Sequence, residues 1–266
     1  EISACLVGSE MCIRDSIPAA CIFLFCQCGG QDSHFLSDTK YIPVFSEDSC
    51  QYIDHGDNLH FTGTYSDATL FYDNMALICN QSDKKWGYID DSGGLQYPAV
   101  YTRATIFNEN RAWVVRPDEA PCAIDTKGRL QLTLTRASKV MIFCEGMAAF
   151  AQKEKKGERW GFIDKSGTPV IKPLYKDVKP FSSGLAAVKN EQNLWGYIDS
   201  KGIEQIPAQF SSAESFSKER HAVVRSDKSG LFQVIDTKGD TLWTIECDAL
   251  ISDGNTFRIK KDKKWG

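Results

Sequence analysis

The sequence predicts an all-β protein built of tandem antiparallel meanders, and three observations carry that prediction. A short phrase, WG(Y/F)ID, returns at a fixed interval along the chain. Around it the side chains alternate in the manner of a strand, and after it an Asp-x-x-Gly group supplies turn chemistry. No stretch longer than a turn or two shows a helical period.

The phrase stands clearly at residues 86–90, 160–164 and 195–199, and in worn form near residues 50, 121 and 232. Its aspartates fall at 54, 90, 125, 164, 199 and 236, spaced by 35 to 39 residues. Self-similarity at one period is the mark of a repeat architecture. A second anchor keeps the same register. Phe71, Phe107, Phe181 and Phe216 come 17 residues after an Asp, and Phe143 comes 18 after. Ala76, Ala112, Ala148 and Ala186 each follow such a Phe by five positions. A third anchor, Tyr101, Tyr175 and Phe210, lies eight residues after the turn glycine, with Pro98, Pro173 and Pro207 just ahead of it.

Each part of the period has a local reason. In LWGYID, Trp195, Tyr197 and Asp199 share one face of a strand, while Leu194 and Ile198 share the other. Trp86, Trp160 and Trp195 are the large apolar knobs. Gly87, Gly161 and Gly196 follow them with no side chain, which lets an adjacent backbone or ring come close. Asp90, Asp125, Asp164, Asp199 and Asp236 accept hydrogen bonds from their own turns, and Gly93, Gly128, Gly167, Gly202 and Gly239 can adopt positive φ. The chain returns through a proline-bearing segment, which reads as an edge strand. A third strand of the GLAAVKN type then leads into the next copy. Each period therefore yields three or four short strands. One meander cannot bury both its faces, so copies must pack on one another. A propeller-like ring of roughly 36-residue units is the expected architecture, with an open, curved β-solenoid array as the alternative. The repeats are placed at 40–266, about six copies and the start of a seventh. The last letters, DKKWG (262–266), duplicate residues 83–87 and announce another strand, so the chain is expected to be a fragment.

The quoted phrases, KKWGYIDDSG and the long run from Arg159 to Gly202, resemble the WG-repeat (KWG-repeat) family of bacterial proteins. That resemblance implies tandem β-repeats, often on secreted or lipid-anchored proteins, and implies no shared activity. Residues 6–16, LVGSEMCIRDS, resemble letter for letter the translation of a transposon-based sequencing-library adapter, so residues 1–16 are read as non-native. Residues 17–28 then read as the remnant of a signal peptide. The apolar run 17–25 has the length of a signal h-region and is too short to span a bilayer. The Cys, Gly-Gly and polar residues after it resemble a bacterial lipoprotein signal, with Cys28 the lipidation candidate, Cys26 and Cys21 its rivals, and 29–39 a tether. A buried strand is the alternative for this run. The implied address is the cell envelope, facing the periplasm or the exterior, with membrane contact only through the lipid.

Composition narrows function further. Net charge is −4 with the signs interspersed, which gives no electrostatic case for nucleic acid. The ten cysteines include no Cys-x-x-Cys pair, and Cys79 and Cys144 sit in apolar runs as small buried hydrophobes. Asp164 and Asp199 could be imagined as a hydrolase pair about 5–10 Å apart. An Asp that recurs at every period is explained by turn formation. His55 and His60, in DHGDNLH, form the one local cluster of His and Asp, and a polar hairpin accounts for it. No cofactor motif is present. The expectation is a non-catalytic module for protein or ligand interaction, with a surface glycan-binding protein as the alternative and a hydrolase a distant third. Trp113, Trp243, Tyr72 and Phe150, which lie off the anchors, are the candidate contact aromatics, although strand aromatics mostly pack and core is the reading favoured for each.

Overall fold

The computed structural model describes residues 40–46, 49–155, 157–253 and 256–265. The adapter-like segment, the signal remnant with Cys28 and the tether lie outside the described residues. The described chain is all-β, with every sheet formed from antiparallel neighbours in sequence order.

The strands fall into successive blades. Ile42–Phe45 (β1), Cys50–Ile53 (β2) and Leu59–Gly63 (β3) make a three-stranded sheet. Tyr65–Tyr72 (β4), Met75–Asn80 (β5), Trp86–Asp90 (β6) and Leu95–Tyr101 (β7) make the next. Arg103–Ala104 (β8), Ala112–Val115 (β9), Cys122–Ile124 (β10) and Leu130–Thr133 (β11) make the third. Ala137–Cys144 (β12), Met147–Glu154 (β13), Gly157–Asp164 (β14) and Pro169–Tyr175 (β15) make the fourth. A seven-stranded sheet follows: Asp177–Val178 (β16), Leu185–Lys189 (β17), Trp195–Asp199 (β18), Glu204–Ala213 (β19), His221–Ser226 (β20), Phe232–Asp236 (β21) and Thr241–Ile245 (β22). Ala249–Asp253 (β23), Thr256–Lys261 (β24) and Lys264–Trp265 (β25) close the order.

The WG(Y/F)ID phrase is the third strand of a four-stranded blade, and the proline segment is the fourth. The chain then passes, over one residue at 64, 102 and 176, from the fourth strand of one blade into the first strand of the next. In β19 that break is missing. Phe210 pairs with Trp195 on one side and Ser226 on the other, so one strand serves two blades and fuses them into the seven-stranded sheet. The sequence repeat, counted from its Trp, is thus half of one blade and half of the next. The core lies between blades for the same reason. Leu77 and Tyr88 of one blade pack with Phe107, Ala112 and Val114 of its successor, and Phe162 packs with Phe181 and Ala186.

The Trp-Gly pair marks a specific distortion. Opposite Gly161 the return strand gains two residues: Trp160 pairs with Tyr175 and Phe162 with Ile171. The same step occurs from Trp86–Tyr101 to Tyr88–Tyr97 and from Trp195–Phe210 to Tyr197–Ile206. The bulge presses against the glycine. A Cβ at Gly161 would lie 2.4 Å from the Ile171 carbonyl oxygen, and at Gly196 2.6 Å from that of Ile206. In the copies with Gln51, Cys122 or Gln233 at that position, the facing pairs run one to one. Glycine and bulge come and go together.

Candidate functional site

Every recurring polar residue has a place in a turn. Asp164 Oδ1 accepts the backbone N–H of Ser166 at 2.9 Å and of Thr168 at 3.0 Å. The same pair of bonds closes the turns at Asp54, Asp90, Asp125, Asp199 and Asp236, at 2.8–3.0 Å. The Ser166 hydroxyl and these amides hold the Asp164 carboxyl below the usual carboxylate range. At Asp199 the Ile203 amide leads the same effect. Gly167 donates its N–H to the Asp164 carbonyl with φ near +84°, a backbone that disfavours any side chain. In the first blade Asp57 holds that position instead, at φ 60°. Each of these carboxylates has its Oδ1 engaged by its own loop, which is the arrangement of a turn rather than of a paired acid and base.

The Tyr of WGYID, missed as an anchor in the sequence, is the main link between blades. Tyr88 is fully buried and donates its hydroxyl to the Thr105 carbonyl at 2.7 Å. Tyr52 does the same to Thr69 at 2.7 Å, and Tyr197 to Glu214 at 2.8 Å, always 17 residues on. Their rings pack on the anchor phenylalanines of the next blade. Tyr88–Phe107, Phe162–Phe181 and Tyr197–Phe216 have centroids 4.8 Å apart, and Tyr52–Phe71 5.2 Å. Where the third blade has Ala123 in place of this aromatic, Trp113 stacks on Phe143 at 5.5 Å. A second link covers the turn glycines. Phe61, Tyr97, Leu132, Ile171 and Ile206, each seven residues past an Asp, lie over Gly93, Gly128, Gly167, Gly202 and Gly239 of the following blade. A third runs between hairpin tips: Asp73 Oδ2 accepts the Asn110 N–H at 2.6 Å, Glu109 Oε2 the Gly146 N–H at 3.0 Å, and Glu145 Oε2 the Gly184 N–H at 2.8 Å.

The candidate contact aromatics divide. Trp113 and Phe150 are buried at 1% and 2% exposure and belong to one core cluster, so of the two readings, core and contact, these two are core. Trp243 is half-buried, edge-on to Phe257 at 5.0 Å, and Tyr72 is half-buried as well. Trp160 and Trp195 are buried, while Trp86 is half-buried. Cys79 is buried as a free thiol, as a small hydrophobe would be, whereas Cys144 is buried and disulfide-bonded. His60 lies flat on Tyr41 at 3.8 Å, and its Nε2 meets the Asp91 carbonyl at 2.6 Å. The described residues contain no group of three metal-ligating side chains, and no helix long and apolar enough to cross a membrane.

Comparison with known proteins agrees with this geometry. No curated protein matches the chain by sequence. BamB from Moraxella catarrhalis is similar in structure at 10% identity and a TM-score of 0.51, over 85% of this chain and 77% of that one. Hsv2 from Kluyveromyces marxianus is similar at 11% identity and a TM-score of 0.51, over 79% and 72%. Both are propeller-like proteins, and the likeness is one of fold. The family model described as "WG containing repeat" matches residues 86–116, 160–193 and 195–228. Each match opens on one of the three Trp-Gly pairs that face a bulge, so these three segments of the propeller-like chain are similar to the WG containing repeat.

Proposed function

We propose that the chain is a non-catalytic interaction module, displayed on the cell envelope through a lipid on Cys28. One observation carries the reading. The residues that recur, and that could have done chemistry, are engaged in turns and in contacts between blades: the aspartates by their own amides, the tyrosine hydroxyls by carbonyls of the next blade. Repeat arrays built this way offer broad surfaces assembled from many short strands and loops. The envelope address rests on the apolar run 17–25 and the Cys-Gly-Gly after it.

The test is capture of a partner by photocrosslinking in intact cells, alongside a glycan array and a panel of chromogenic glycosides and esters. A saturable protein complex, with no turnover on the panel, is the expected result. Turnover that Asp164→Asn or Asp199→Asn abolishes while the fold is retained would overturn it.

A further inference from the structure

The fourth strand of each blade lies at the edge of its sheet, except that the far half of β19 also pairs with β20, and the blades treat that edge in two ways. In β7, β15 and β19, prolines 98, 169, 173 and 207 remove amide donors, and the two-residue bulge breaks the line of the strand. Proline and bulges are the usual means of keeping an edge strand from pairing with another chain. The fourth strands β3, β11 and β22 contain no proline, and their bulges are of one residue only, at His60, Gln131 and Leu242 near the strand start. In β3, His60 is tied to Tyr41 and Asp91, and β11 is only four residues long with Gln131 bound to Asp125. β22 is the open one. It reads TLWTI, uncharged and rich in β-branched and aromatic residues, and it pairs one to one with β21 from Val234–Trp243 to Phe232–Ile245. Thr241, Leu242 and Thr244 are exposed, Leu242 at 52%.

We propose that the free edge of β22 is a docking site for an extended peptide segment of a protein partner, which adds to the sheet as its next strand. The proposal rests on the interaction-module reading and names the surface that does the work. An unpaired edge offers alternating backbone N–H and C=O groups, and the ligand that satisfies them is another extended backbone. Size argues for a peptide over a second copy of the chain. Stable protein pairs bury about 1,200–2,000 Å² in total, far more than one five-residue strand supplies. Charge selects its chemistry. The exposed acids Asp240 and Glu246 bracket the strand at its two ends. The fitting segment therefore has a neutral β-branched centre, which packs on Leu242 and Thr244, and a Lys or Arg at each end.

The experiment titrates the full chain, labelled with ¹⁵N, with the peptide acetyl-Lys-Thr-Val-Thr-Val-Thr-Lys-amide. Its analogue N-methylated at alternate amides is the control, because it keeps the side chains and loses the strand hydrogen bonds. The expected result is shifted and exchange-protected amides confined to residues 241–245, absent with the methylated peptide. Affinity should fall about tenfold or more in Leu242→Lys and in Thr244→Lys at unchanged melting temperature. No perturbation at millimolar peptide, an equal response in β7 and β15, or homodimers formed through 241–245 without peptide would each overturn the proposal. A partner that crosslinks elsewhere while β22 stays silent removes the edge site and leaves the module reading standing. Turnover of a substrate removes the module reading itself.

Discussion

Gly161→Ala is the sharpest test of how the repeat holds itself together. The added Cβ would sit 2.4 Å from the Ile171 carbonyl oxygen and 2.7 Å from backbone atoms of Lys172 and Pro173, against 3.4 Å or more for ordinary contact. All three obstacles are backbone, so no side chain can swing aside. The bulge must retreat by about 1 Å, or the β14–β15 ladder must open beside Trp160. Overpacking of a tight core costs about 1–3 kcal/mol where side chains can adjust, and a rigid obstacle belongs at or above the top of that range. At 2–4 °C per kcal/mol for a chain near this size, melting should drop by roughly 6–12 °C. Calorimetry and far-ultraviolet circular dichroism would measure it. Two controls bear on the cause. Gln233→Gly, in a copy whose facing strand is straight at that position, should cost only about 0.5–1 kcal/mol. Deleting two of residues 172–174 would restore one-to-one pairing without reversing the side-chain faces, and should rescue Gly161→Ala. A melting temperature for Gly161→Ala within about 2 °C of the parent would refute the reasoning.

Three further outcomes follow from the same geometry. Tyr197→Phe removes a hydroxyl bonded to the Glu214 carbonyl and should cost about 1–2 kcal/mol, with the ring contact to Phe216 kept; equilibrium urea unfolding reads the difference. Trp160→Ala and Trp195→Ala should each cost about 3–5 kcal/mol, and Trp86→Ala clearly less because that ring is half-exposed; equal losses in all three would contradict the packing described. The turn carboxylates Asp90, Asp164 and Asp199 have depressed folded-state values, so the stability they add is present above the ordinary carboxylate value and is lost as pH falls through the folded one. Melting temperature should hold steady above about pH 5 and decline below about pH 4, and Asp199→Asn should have a shallower decline than the parent.

What the sequence discloses about this molecule depends on how far apart the interacting residues lie. The Asp and Gly of the turn are three residues apart and satisfy one another, so their role is visible in the letters DxxG. The need for Gly161 is half visible: its lack of a side chain suggests a close approach, and only the paired strand shows that a bulge makes it. The tyrosine link spans 17 to 19 residues and joins two blades, so its meaning appears only once the repeat is divided between them. Even then the position varies, as Tyr52, Tyr88, Phe162 and Tyr197, and it is empty of aromatics in Ala123. The hairpin-tip acids Asp73, Glu109 and Glu145 share a role without sharing a residue type, which hides them from any search for identical letters. The first strands of the third and fifth blades are two residues long, which is why four strands per period could be read as three. Trp113 and Phe150 stood off the anchors, which left contact open beside core; in the worn third copy Trp113 supplies the packing aromatic from the neighbouring strand.

The unbroken strand β19 divides the chain into units of unequal cooperativity. Elsewhere one to three residues outside the strands separate the last strand of a blade from the first of the next, and a blade can open without tearing its neighbour's ladder. Across β19 the strand itself is continuous, its pairing irregular only at Ser211, and the sheet runs from Asp177 to Ile245. Amide exchange should therefore report residues 177–245 as one slow-opening block, released as a whole, while the blades before it exchange at separate free energies. Placing a seam at Ser211, by a proline that ends the strand there, would split the block in two and give each half its own exchange rate.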